Sequence, residues 1–142
     1  MEPWRRIGIL VVVLAAQGRP RGTIAVGDTV RDSLTRRDPV LPAESTYARE
    51  WRLRGRAGET VTIDLASSAF DAYVFLLGPA AGTAPPQDDD SGGRCNARLT
   101  VRFPAPGDYF IVATSRERRA TGAFTLTVTA GPKPAALAPC TR

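Results

Sequence analysis

Residues 58–65 read Gly58-Glu59-Thr60-Val61-Thr62-Ile63-Asp64-Leu65, and their alternation decides the fold class. Val61, Ile63 and Leu65 fall on one side of an extended chain, and Thr60, Thr62 and Asp64 on the other. A strand with this pattern buries one face and wets the other, as strands of antiparallel sheets do. The same period returns on both sides of it. Leu99, Val101 and Phe103 alternate with Arg98, Thr100 and Arg102; Phe124, Leu126 and Val128 alternate with Thr125, Thr127 and Thr129. Trp51 and Leu53 alternate with Glu50, Arg52 and Arg54. Residues 74–77 and 109–113 are apolar at both parities, which predicts central strands covered on both faces, or strands that cross between sheets. Residues 23–26 and 29–34 are the remaining strand candidates. Turn-forming residues separate the runs at 55–58, 78–82, 91–93, 104–107 and 119–122. Roughly eight strands at this spacing, without helical periodicity, predict an all-β antiparallel sandwich.

The two ends read differently. Residues 1–18 have the form of a secretory signal: Arg5 and Arg6, an apolar run at 7–16 (IGILVVVLAA), and Ala16-Gln17-Gly18 before a cut ahead of Arg19. The alternatives are a buried helix or a membrane anchor, but the run is far short of the roughly 20 residues that span a bilayer. Removing this leader takes away Glu2, Arg5 and Arg6 and lowers the formal charge of +5 by one unit. The expectation is a secreted or periplasmic protein with no membrane span in its mature chain. The sandwich then occupies 19–130, and 131–142 form a Pro/Ala-rich tail. In an oxidising compartment Cys95 and Cys140 are expected to pair, which would tie the tail back onto the body of the domain. The alternative is two free thiols.

Composition narrows the chemistry. Among 142 residues there is no histidine, which excludes Ser-His-Asp and Cys-His hydrolysis, His-ligated zinc and imidazole relays. Lys133 is the only lysine among the 19 basic residues, and it lies in the tail. Ser67 and Ser68 therefore have no imidazole base, and Lys133 is badly placed to replace one. Carboxylates such as Asp64 and Asp71 could in principle serve glycoside chemistry, but that needs a cleft that so small a module seldom forms. The expectation is no enzyme.

An ordered set of segments resembles a known module. It runs through 58–65 (GETVTIDL), 67–74 (SSAFDAYV), 88–93 (DDDSGG), 96–99 (NARL), 104–112 (PAPGDYFIV) and 122–128 (GAFTLTV). This order resembles the bacterial pre-peptidase C-terminal domain, which is similar in architecture to the collagen-binding domains of bacterial collagenases. The likeness extends over about residues 23–130, on the order of one domain. It implies a jelly-roll-like β-sandwich without catalytic residues, one that assists the secretion, localisation or substrate binding of an associated enzyme. A secreted peptidase, another extracellular protein or a polysaccharide is the partner so implied. Cys95 and Cys140 are not part of that family's pattern.

Asp88, Asp89 and Asp90 stand together before a flexible Ser-Gly-Gly, and their mutual repulsion calls for compensation. Calcium accepts six to eight oxygens, and Asp71, Asp88, Asp89, Asp90 and Asn96 would be its ligand set. The competing reading, which the residue types favour, is a turn capped by its own aspartates and neutralised by Arg94 or Arg98. In that reading Asp71 accepts backbone hydrogen bonds. The spacing is not that of an EF-hand. Arg49, Arg52, Arg54 and Arg56 form one basic group and Arg116, Arg118 and Arg119 another. If they converge they form a patch for an acidic polymer; Glu50, Glu59 and Glu117 among them favour an ordinary mixed surface. Export makes nucleic acid an unexpected partner.

The leading functional expectation is a secreted non-catalytic accessory or binding module for an extracellular protein or polysaccharide. The alternative is a structural envelope protein stabilised by calcium, a disulfide or both, with no dedicated ligand.

Overall fold

The computed structural model describes residues 20–79 and 85–141. The expected leader, and part of the expected turn at 78–82, lie outside the described residues. Among those described, no helix is long and apolar enough to cross a membrane.

Ten strands form: β1 (Thr29–Leu34), β2 (Val40–Leu41), β3 (Thr46–Tyr47), β4 (Arg49–Gly55), β5 (Thr60–Ala66), β6 (Ala72–Leu77), β7 (Gln87–Asp88), β8 (Ala97–Arg102), β9 (Gly107–Ser115) and β10 (Gly122–Ala130). They build two four-stranded antiparallel sheets, β1-β10-β5-β8 and β4-β9-β6-β7, with β2 and β3 as a separate hairpin. The expected all-β sandwich is the observed fold. From β7 onward the chain alternates between the sheets, entering the first with β8, the second with β9 and the first again with β10.

The alternation maps directly onto the two layers. Val61, Ile63 and Leu65 of β5, Leu126 and Val128 of β10, and Leu99 and Val101 of β8 turn inward from the first sheet. Trp51 and Leu53 of β4, Tyr109, Ile111 and Ala113 of β9, and Val74 and Leu76 of β6 meet them from the second. Burial of such a set supplies most of the driving force for the fold, at roughly 25 cal/mol per Å² of apolar surface. Close approach is needed at one corner, where a Cβ on Gly55 would stand 2.8 Å from the rings of Phe103 and Tyr109.

β6 and β9 are central strands covered on both sides. Their outer face carries a second cluster, Leu41, Ala48, Phe75 and Val112, roofed by the β2–β3 hairpin. Thr114 Oγ1 fastens the hairpin by donating to Tyr47 O at 2.6 Å. β2, β3 and β7 have two residues each, too few to show a period.

Residues 23–26 do not form the expected strand. Thr23 makes a single parallel bridge to Arg52. A turn then ends the pairing: Asp28 N donates to Ala25 O at 3.0 Å, and Asp28 Oδ2 accepts from Ala25 N at 2.9 Å.

β1 and β4 are edge strands of opposite sheets, and Arg49 closes the seam between them. Its Nη1 donates to both Asp32 oxygens at 2.9 Å, and its Nε lies 2.8 Å from Asp38 Oδ1. Burial pushes the Asp32 carboxyl up, but the Ser33 N–H and the Arg49 guanidinium more than reverse this and leave it below its ordinary value. Arg49→Ala removes the cation between Asp32 and Asp38 and leaves Asp32 only its more exposed pair with Arg21. The expected loss is about 3 kcal/mol. Arg54→Ala, which breaks an exposed pair with Asp108, is expected to lose less than about 1 kcal/mol. Urea-unfolding midpoints of the two variants provide the comparison.

Candidate functional site

The expected ligand residues and the two cysteines gather at one end of the sandwich, where 67–71, 88–96, the β9–β10 hairpin and the tail meet. Ser67 organises the first of these loops. Its Oγ donates to Ala123 O at 2.7 Å and accepts from the amides of Ala69 and Phe70. Phe70 is fully buried and meets the edge of Phe124 at 6.4 Å between ring centroids. Asp71 follows it, immediately ahead of β6.

Of the five expected ligands, two are engaged in building the loops. Asp88 Oδ2 accepts from the amides of Ser91 at 2.9 Å and Arg98 at 3.0 Å, and its Oδ1 accepts from Ser91 Oγ at 2.6 Å. This is an aspartate-capped turn anchored to the start of β8. Asn96 Oδ1 accepts from Ser67 N at 3.0 Å. Gly92 is required in this turn, because a Cβ there would stand 2.9 Å from the Asn96 carbonyl.

The other three come together. Asp71 Oδ1 is buried and, among the described residues, has no hydrogen-bond partner. Burial, followed by the charges of Asp90, Asp89 and Glu117, pushes its pKa up from 3.8 to about 6, with Arg116 partly offsetting them. Glu117 is a member that the sequence did not reveal. It lies 46 positions from Asp71, yet its Oε1 accepts from Asp71 N at 2.7 Å. Arg116 pairs with Asp89 at 3.3 Å and also lies over the Tyr73 ring. Tyr73 in turn hydrogen-bonds Gln87.

Cys95 and Cys140 are disulfide-bonded, with Cα atoms 4.5 Å apart. Cys95 is buried and Cys140 exposed. Ahead of the bond the tail is fastened by Thr62 Oγ1 donating to Gly131 O at 2.8 Å, Arg98 Nη1 to Pro134 O at 2.9 Å and Ala136 N to Ser91 O at 2.8 Å. Asp71, Cys95 and Cys140 bring their oxygen and sulfur atoms within 4.8 Å of one another. The sulfurs bind each other, so one carboxylate remains there as a donor to a cation. A calcium ion would have to draw Asp89 and Asp90 in toward Asp71.

The two arginine groups do not converge. Arg52 and Arg54 lie on the outer face of β4, opposite Phe110 and Asp108 of β9. Arg116, Arg118 and Arg119 follow the far end of β9, roughly 20 Å along the strand from Phe110. Arg49 is turned into the seam.

Glu50 was expected on a wetted face and is instead 3 % exposed, with both carboxylate oxygens unpartnered among the described residues. It stands opposite Val112, on the face that the β2–β3 segment roofs. Burial pushes its pKa up from 4.5 to about 7.

No family model matches the sequence, and no curated protein matches it. Among solved structures the chain is similar to the pre-peptidase C-terminal domain of a Bacillus anthracis collagenase. That similarity has a TM-score of 0.60 at 12% identity, over 78% of this chain and 97% of the other. It is also similar to a periplasmic inhibitor of g-type lysozyme from Salmonella Typhimurium, with a TM-score of 0.50 at 13% identity, over 78% and 98% of the two chains. The corresponding inhibitor from Aeromonas hydrophila gives 0.48 at 18% identity, over 78% and 100%.

Three predictions come from the geometry of this end and of the β4 face. Glu50 and Asp71 hold protons in the folded state that the unfolded chain gives up. Stability should therefore fall as pH rises from about 4 to about 7 and stay reduced above that. Glu50→Gln should match the parent near pH 4.5 and exceed it at pH 8 by about 2–3 kcal/mol in denaturant titrations. Reduction of the cystine, which closes a 45-residue separation, should lower stability by up to about 4 kcal/mol, read as a drop in Tm with dithiothreitol. The fold expected from the sequence resemblance, that of the pre-peptidase C-terminal domain, is the fold this chain has.

Proposed function

We propose that this chain is a secreted or periplasmic, non-catalytic binding or accessory module that acts on an extracellular protein or polysaccharide. The observation that carries this reading is the fold, shared over 78% of the chain with a domain of a collagenase. The Salmonella neighbour, a periplasmic inhibitor of an enzyme, supports a scaffold that serves other proteins. The cystine and the secretory form of residues 1–18 support a location outside the cytoplasm. A secreted peptidase is the first partner to test, since the resemblance implies one.

The direct experiment uses the mature chain immobilised on a support and exposed to envelope and medium fractions. The expected result is a saturable macromolecular ligand that free protein competes away. Absence of any competed ligand would count against a binding role. Inhibition of a g-type lysozyme is a second, cheap assay of the same preparation.

One observation favours a second reading, an envelope protein stabilised by calcium together with its disulfide. The charges of Asp90 and Asp89 act on Asp71 at the loop end, and Asp71 Oδ1 is unpartnered among the described residues. Asp88 and Asn96 complete the proposed set, as supports of the loop. Millimolar calcium is then expected to raise Tm, and Asp71→Asn to remove the increase. Melting that is indifferent to calcium, chelator and reductant alike would eliminate this reading.

A further inference from the structure

A cavity of about 630 Å³ opens on the outer face of the first sheet, where β5 gives way to the 67–70 turn. Strand register lays out its floor. Arg31 of β1 stands opposite Thr125 of β10, and Thr125 opposite Ala66 of β5. Asn96, one residue ahead of β8, ends this row, and Arg94 lines the bank beside it. The floor from Arg31 to Asn96 is thus three inter-strand steps wide, about 14 Å between backbones, and Arg94 lines the same trough.

Both arginines are exposed, and among the described residues neither makes an ion pair. Asp32, the acid in the lining, is already held by Arg49 and Arg21. Asn96 gives its Oδ1 to the Ser67 amide, which leaves its NH2 group as a donor. The trough is therefore a positively charged, donor-rich surface over a floor of small side chains. The position of Arg94 is imposed by the fold. Arg94 and Cys95 take φ values of 54° and 66°, a region that costs residues with a side chain free energy. The cystine and the bond from Arg94 N to Ala138 O, at 3.0 Å, hold them there.

We propose that this trough binds an acidic polysaccharide, an extended glycan chain carrying carboxylate or sulfate groups, with Arg31 and Arg94 each pairing with one acid group. Guanidinium forks match such groups bidentately. Two cations lining one open trough suit successive acid groups along a chain. A protein ligand would need aromatic or aliphatic anchors at its centre, and a single-stranded nucleic acid would need an aromatic platform. The large apolar residue of the lining, Phe124, is 3 % exposed and faces the core. The inference rests on the binding-module reading and adds a ligand class and a location to it.

The test measures binding of the intact oxidised protein to a heparin-derived oligosaccharide, a polygalacturonate oligosaccharide, neutral dextran and a single-stranded oligonucleotide, by calorimetry at two salt concentrations. At least one acidic glycan should bind, more weakly at higher salt, and dextran should not; comparing the two acidic probes distinguishes sulfate from carboxylate. Arg31→Ala and Arg94→Ala should each weaken binding about tenfold, the loss of roughly one charge-assisted pair. Arg54→Ala, on the other sheet, should leave it unchanged, with circular dichroism establishing that each variant is folded. Absence of binding to both acidic glycans overturns the proposal. So does equal loss in all three variants, or equally tight binding of the oligonucleotide through Arg31 and Arg94. A competed protein partner in the pull-down, together with no glycan binding here, would remove the trough proposal and leave the module reading standing.

Discussion

Everything in this molecule depends on the burial of alternate side chains between two sheets. Ile63 and Leu126 on one side and Ile111 on the other have no exposed surface. Strand geometry then leaves little choice about the remaining positions, because a one-residue slip would turn every buried side chain out to water. The same constraint explains why the seam between β1 and β4 carries ions. There the Arg49 guanidinium of β4 pairs with Asp32 of β1 and with Asp38, and ties the two edges together. Such a group contributes little as a pair, but removing one member strands the others.

The loop end obeys a different physics. Its segments have too little apolar surface to hold themselves in place, apart from the Phe70 anchor. They are fixed instead by capped turns at Ser67 and Asp88 and by a covalent bond from the tail. The tail therefore serves as part of the domain, and it holds Arg94 and Cys95 in backbone conformations that would relax without it. A rigid sandwich carrying pinned loops is well suited to recognition, since little order has to be gained on binding.

Much of this was legible in residues 58–65 and their counterparts, because a period of two is a local property that any strand buried on one face must show. The absence of histidine was equally decisive for chemistry, since no arrangement in space can supply a missing side chain. The pairing of Cys95 with Cys140 followed from compartment and count. Other features left no local trace. Glu50 has the parity of a wetted position, and only the roof formed by β2 and β3 takes it out of water. Residues 23–26 have strand composition, but the Asp28 turn ends their pairing after a single bridge.

The sequence by itself determined the all-β class, the inward-facing rows, the exclusion of imidazole chemistry and the two ends of the disulfide. Those follow from the identity of each residue and from its neighbours one and two positions away. Only the tertiary structure decided that Glu117 joins Asp71, that Arg49 leaves the basic strand for the seam, and that Arg31 and Arg94 share a trough. Each of these pairs residues far apart in the chain, and their meeting is set by strand order and loop closure. No short stretch of sequence encodes either.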